Sequence, residues 1–318
     1  GDGRGTAYLE ALRLAMDHAL SGDPRVFLYG EDIEDPFGGA FKATKGLSTK
    51  HPGRVRNAPI SEDAITGVAI GAALEGLRPV IEYQFADFAT NALSQLSQHA
   101  ATTFWRTGRP CPITARFPCG GTPGGGPFHS QMPEAWLTNF PGLAVVAPAT
   151  VQDAYHLMRA AIACDDPVLV LEHKQLYYHL RDKRFDPAAP ALPLTSAAIL
   201  RPGDDCTLVS YSGMVQGALA AAETLALQGI SVEVIDLRCL KPLDLPTILG
   251  SVARTRRLVV ATEAWPYGSV AAEVVAAVAG DGFHLLDAPP RRICCRDTPI
   301  PFHPELWLAH RPGTESIS

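Results

Sequence analysis

The side chains best placed to do chemistry begin with Glu62, in the run Pro59-Ile60-Ser61-Glu62-Asp63. Ser61 suits a helix N-cap, where a hydroxyl accepts a free backbone N–H. Glu62 and Asp63 then fall in the first turn, where the helix dipole favours negative charge. From Ile65 to Leu77 the chain is almost uncharged and rich in Ala and Gly. That composition predicts a helix packed on most sides. Two readings of Glu62 stay open. Taken alone it is more often a helix-capping acid; the sharper reading is a buried carboxylate that holds or moves a proton. His129, beside Ser130 and Gln131, follows a Gly/Pro-rich stretch from Pro118 to Pro127. A lone histidine is usually structural, but loops held by a rigid sheet are where functional groups gather. Glu31 and Asp32 follow the apolar run Val26-Phe27-Leu28-Tyr29, and the C-terminal end of such a strand is where ligands sit in parallel sheets.

The glycines from Gly120 to Gly126 do not make a phosphate loop, because no Gly-Lys-Ser/Thr ending is present. Nor do they sit in the strand-to-helix context of a dinucleotide site. They read as backbone that bends sharply or passes close to something, with His129 at its exit. No Gly-x-Ser-x-Gly elbow supports a serine hydrolase. His173, after Glu172, reads as structural, and His99 as core or interface.

Strands and helices alternate around these residues. Tyr8 to Ala19 has helical spacing, Val26 to Tyr29 and Pro79 to Tyr83 read as buried strands, and Asn91 to Arg106 as one long helix. Strands over Ile113–Arg116, Leu143–Ala147 and Val168–Glu172 enclose a helix over Thr150–Ala163. A Pro-rich stretch, residues 186–195, reads as a linker. Beyond it come strands at Cys206–Tyr211, Ser231–Ile235 and Arg257–Ala261, with helices between. The predicted architecture is two doubly wound α/β domains, residues 1–185 and 196–318, each around a mainly parallel sheet.

The chain has 318 residues, 47% of them hydrophobic and 19% charged, with a formal charge of −6. That balance argues against nucleic acid as a main partner, and no basic run appears. No apolar stretch reaches membrane-spanning length, and no signal peptide is recognisable. Seven cysteines, an odd number with no C-x-x-C pair, fit neither a disulfide framework nor a zinc site. The expected compartment is the cytoplasm.

With these residues placed, the chain resembles the beta subunit of the 2-oxoacid dehydrogenase first component, a transketolase-like family dependent on thiamine diphosphate. The resemblance rests on Gly30-Glu31-Asp32, Pro59-Ile60-Ser61-Glu62, Gly76-Leu77-Arg78-Pro79, Gln84-Phe85-Ala86-Asp87-Phe88, His129-Ser130-Gln131 with Pro133-Glu134-Ala135, and Pro141-Gly142-Leu143. Asp236-Leu237-Arg238, Pro242-Leu243-Asp244 and Asp297-Thr298-Pro299 carry it into the second half. It implies a pyrimidine-binding domain followed by a transketolase C-terminal domain. It implies that Glu62 pairs with the far nitrogen of the cofactor's pyrimidine, stabilising the protonated ring. It implies that His129 handles protons and guides acyl transfer to a lipoyl group. Ile60, Gln84 and Phe88 match positions around the pyrimidine, and Glu31 matches an acid of the buried channel between paired sites.

The resemblance also implies a potassium ion on backbone carbonyls at Ile113, Ala161, Cys164 and Asp166, with Cys164 where an acid is usual. Gly1-Asp2-Gly3 looks like the start of the family's magnesium–diphosphate motif but lacks the preceding strand that motif needs. An alpha subunit is therefore expected to hold the magnesium, in a tetramer of two alpha and two beta chains. The implied substrate is a small 2-oxoacid and the implied acceptor a lipoyl-bearing acyltransferase or other acyl carrier. Two alternatives remain: a two-component transketolase acting on ketose phosphates, and a non-catalytic interface scaffold, which would be expected to lack Glu62 or His129. The Gly-rich Cys119 to Pro127 and the segment Thr102, Phe104 and Trp105 depart from the family pattern.

Overall fold

The computed structural model describes residues 5–318, so Gly1-Asp2-Gly3 lies outside the described residues. The first half builds a seven-stranded sheet in the order Cys239–Lys241, Ala144–Val146, Val168–His173, Thr114–Cys119, Arg78–Glu82, Val26–Gly30, Val55–Asn57. All its neighbours pair in parallel except Cys239–Lys241, which adds antiparallel at one edge. That edge strand comes from the second half of the chain, a pairing with no local signal in the sequence. The helices Tyr8–Gly22 and Val151–Ala163 pack together, in the core that covers one face.

The second domain is a five-stranded sheet in the order Arg291–Ile293, Leu258–Ala261, Cys206–Ser210, Val232–Asp236, Ala198–Arg201. Only Ala198–Arg201 runs antiparallel. One continuous apolar cluster joins the domains, from Ile65 and Phe117 through Tyr211 to Val274. Between them, residues 183–197 carry neither helix nor strand and are mostly exposed. Arg238 reaches this stretch, donating to the carbonyls of Pro193 at 3.2 Å and Ser196 at 2.6 Å while its Nε pairs with Asp153 at 2.8 Å. Acceptors meet its Nε and Nη1 and offset most of the cost of burying it, while Nη2 has no partner among the described residues.

Three local expectations change. The segment expected as one helix from Asn91 to Arg106 is a 3-10 turn at Ala86–Ala92, a π-helical turn at Gln95–Ala100 and a short α-helix at Thr103–Thr107. Serine and threonine hydroxyls bond back to carbonyls four residues earlier throughout, Ser97 to Leu93 at 2.6 Å and Thr103 to His99 at 2.7 Å, which bends the ladder. The helix Glu62–Leu74 has Ser61 at its N-cap, but the hydroxyl makes no capping bond. That helix is also not buried all round: Val68 is 49% exposed, and Ala64 and Gly71 share its open face.

Candidate active site

The parallel strands Val26–Gly30, Val55–Asn57, Arg78–Glu82, Thr114–Cys119 and Val168–His173 end on one edge. Their next residues supply Glu31, Ile60 to Glu62, Gln84 to Phe88, the glycine loop and Lys174. Glu62, at the first helical position, is buried and accepts from Asn91 Nδ2 at 3.1 Å on Oε2. No protein donor among the described residues reaches its Oε1. Asn91 lies a turn beyond Phe88 on Ala86–Ala92, so one short segment carries both the Glu62 partner and the aromatic ring. Glu31 is buried nearby, and burial together with the charges of Glu62, Asp32 and Glu82 pushes its carboxyl up to about 7. Glu31 therefore stands close to half-protonation at neutral pH and can hold or release a proton. Gln84 is half-buried, while Ile60 is 85% exposed on the open side.

His129 rests edge-on against Phe85, with ring centroids 4.5 Å apart, and against Phe88 at 5.9 Å. Its loop is held at both ends. Gly120 N–H donates to the Gln131 carbonyl at 3.1 Å, closing the base. At the near end Lys174 Nζ donates to the Gly120 carbonyl at 2.5 Å, and at the far end Asp87 Oδ1 accepts from the N–H groups of Ser130 and Gln131, both at 3.2 Å. Gly120 has φ +80, and a Cβ there would lie 2.1 Å from His173 Nε2, so the sharp bend and the close approach expected of this loop are both present.

His173, buried at its strand end, ties the loop to the second domain. Its Nε2 meets Glu263 Oε2 at 3.2 Å, Arg311 reaches the same oxygen at 3.2 Å, and Gly121 N–H donates to Oε1 at 2.5 Å. The His173 and Arg311 charges and these donors hold the Glu263 carboxyl down to about 2 despite its burial. Sequence reasoning did not find Glu263, because His173 and Gly121 lie 90 and 142 residues from it along the chain.

It also missed a triad beneath the site. Arg116, fully buried in its strand, donates to Glu172 through Nε at 2.7 Å and Nη2 at 2.8 Å, and to Glu82 through Nη1. Tyr177 adds a bond to Glu172 at 2.7 Å. The signal available was three charged residues set in otherwise apolar strands. One guanidinium serves two carboxylates, and burial keeps the Glu82 carboxyl raised.

The positions matched to potassium lie on adjoining loops. Cys111 N–H donates to the Asp165 carbonyl at 3.1 Å and Val168 N–H to the Ile113 carbonyl at 2.9 Å. Ala161 is in the last turn of Val151–Ala163, Cys164 is its C-cap and Asp166 is exposed. Arg78 donates to the carbonyls of Cys164 at 2.9 Å and Ile162 at 3.2 Å, so a guanidinium already meets part of this carbonyl group. Among the described residues no group of three or more His, Cys, Asp or Glu could hold a metal ion.

Residues 4–179 match the family Transketolase, pyrimidine binding domain, and residues 195–317 match Transketolase, C-terminal domain. The chain is 41% identical to the Arabidopsis thaliana protein named pyruvate dehydrogenase E1 component subunit beta-1, mitochondrial, over 97% of this chain and 86% of that one. It is also 41% identical to 2-oxoisovalerate dehydrogenase subunit beta of Bacillus subtilis (strain 168), over 94% of this chain and 92% of that one. The chain belongs to the beta-subunit family of 2-oxoacid dehydrogenase first components. Among solved structures, a split gene transketolase described as an inactive beta4 tetramer matches with a TM-score of 0.82 at 21% identity, covering 98% of this chain and 96% of that one. That likeness shows the transketolase-type fold.

This beta-subunit family is thiamine-diphosphate-dependent, and the residues present fit one wall of such a site. Glu62 offers an oxygen that no protein donor occupies, at the rim of an aromatic group made by Phe85, Phe88 and His129. The wall is open on the side of Ile60.

Proposed function

We infer that this chain is the beta half of a 2-oxoacid dehydrogenase first component, which decarboxylates a 2-oxoacid and passes the acyl group to a lipoyl carrier. The observation that supports this most is the buried Glu62 carboxylate, open on one side and held on the other by Asn91, which shares a short segment with Phe88, a ring packed on His129. When bound, thiamine diphosphate supplies the nucleophilic carbon and the electron sink that decarboxylation needs. Glu62 would accept a hydrogen bond from the pyrimidine and favour its protonated form, a charge-assisted contact. Phe88 and the Ile60 backbone would hold the ring, with Gln84 beside them. His129 would hold or release a proton on the substrate side of the cofactor. Glu31, near half-protonation beside Glu62, would hold or release a proton there.

The chain needs an alpha partner, in a tetramer of two alpha and two beta chains. The exposed row of Ala64, Val68 and Gly71 with Ile60 gives such a partner an apolar face. The partner carries the magnesium that binds the diphosphate. Potassium belongs to this reading at Ile113, Ala161, Cys164 and Asp166, the last three at or just beyond the C-terminus of Val151–Ala163. The cytoplasm is the proposed compartment, supported by seven free thiols. Calorimetry with thiamine diphosphate and magnesium tests the division of labour: the chain alone binds weakly, and binding tightens on adding the alpha partner. Tight magnesium-dependent binding by this chain alone would overturn it.

A further inference from the structure

A cavity of 640 Å³ opens between the two domains beside the glycine loop, and His129 does not line it. Its apolar walls are Phe41, Pro123, Leu176 and Leu180. Its polar walls are Lys174, Gln175, His179 and Gln216. No acidic residue lines it, in a chain of formal charge −6. The volume lies within the range of small-molecule pockets, roughly 300–1,000 Å³.

Lys174 sets the chemistry. It is 5% exposed, and its ammonium has three donors. One goes to the Gly120 carbonyl at 2.5 Å, and the Phe85 ring centroid lies 5.5 Å away. Lys174 is in no ion pair among the described residues. The charges of Asp87 and Glu263 act on it from farther off without pairing, which leaves ammonium donors for an anion at this wall. The helix Met214–Ala226 begins at the opposite wall, where Gly213 lines the cavity as an N-cap without a side-chain cap, adding positive potential.

We propose that this cavity binds a small monocarboxylate with an apolar tail, its carboxylate on Lys174 and its tail against Phe41, Leu176 and Leu180. The same ammonium holds Gly120 at the base of the His129 loop and lies over Phe85, on which His129 packs. A ligand that shares the ammonium therefore changes the surroundings of His129 without touching it.

The test is calorimetry of the full chain with hexanoate and with its neutral analogue hexanamide. Hexanoate is expected to bind saturably and hexanamide on the order of tenfold more weakly or worse, as for loss of one partner of a buried charge pair. Lys174→Met and Gln216→Glu should each weaken hexanoate by a similar factor. Gln216 is half-buried and the change conserves size but removes the Nε2 donor to the Ala149 carbonyl, 3.0 Å away, so melting temperature is read beside binding, and a folded Gln216→Glu reports even if Lys174→Met fails to fold. On binding, the nitrogen NMR signals of the His129 ring should shift. Absence of saturable hexanoate binding, equal affinity for acid and amide, or undiminished binding by Gln216→Glu would overturn the proposal. Neither cofactor nor alpha partner is present, so failure here leaves the proposed function standing, and the reverse holds too.

Discussion

The His129 ring meets Phe85 edge-on, with centroids 4.5 Å apart and planes at 81°. Among the described residues, no hydrogen bond fixes that ring. Its orientation comes from packing on a strand-end aromatic, which itself lies 5.5 Å from the Lys174 ammonium. Phe85→Leu should therefore cost function more than stability. Each of the three aromatic pairs lost, with Phe41, Phe88 and His129, contributes about 0.5–1.5 kcal/mol, part of which the leucine packing restores. A misplaced reacting group costs up to about a hundredfold in rate. Turnover of the assembled complex should drop by at least about tenfold while the melting temperature falls only a few degrees. Equal turnover in wild type and variant would show that Phe85 does not aim His129.

The Arg116 triad predicts a stability defect. Arg116→Met leaves Glu82 and Glu172 facing each other in the core without their cation. Removing one member of a buried ion pair costs roughly 3–5 kcal/mol. Urea unfolding measures it, and a loss below about 1 kcal/mol, the range of a surface pair, would contradict the reading.

Glu134 gives a pH signature. It is fully buried, accepts from Tyr211 at 2.8 Å, and burial lifts its carboxyl from 4.5 to about 7. Between those values the folded chain holds a proton that the unfolded chain has lost, so stability falls as pH rises through this window. Glu134→Gln stays neutral throughout. Its melting temperature relative to wild type should not change below pH 4.5, rise through the window and level off above about 7. A difference independent of pH would show that Glu134 does not titrate in this range.

The Glu263 clasp predicts a local change. Glu263→Gln keeps the shape but weakens the bonds from Gly121, His173 and Arg311, so the loop should open more often. Amide hydrogen exchange over residues 120–131 should speed up, while the strand Val26–Gly30 exchanges as before. Unchanged loop exchange would mean that Lys174 and Asp87 suffice to hold it.

The architecture was legible where burial imposes a simple pattern. Apolar runs such as Val168 to Glu172 mark strands covered on both faces, and Glu62 before an Ala-rich helix marks a site near a core. Geometry that depends on distant partners was not legible. Cys239–Lys241 joins the first sheet from beyond the linker, and Arg116 finds its carboxylates on two other strands. The break-up of Asn91 to Arg106 has a local cause, hydroxyls competing for carbonyls, yet its Leu and Ala spacing still matches one helix.

In the proposed function, Glu62 sets the protonation of the cofactor's pyrimidine. Glu62→Gln keeps size and an acceptor oxygen but removes the charge, and a charge-assisted bond is roughly twice as strong as a neutral one. The most direct measurement is hydrogen–deuterium exchange at the thiazolium carbon in the assembled complex, with melting temperature as control. The account predicts exchange slowed by about two orders of magnitude or more, the scale of losing a proton-transfer group, in a protein that stays folded. Exchange at the wild-type rate in a folded variant would contradict it and leave Glu62 as a helix-capping acid.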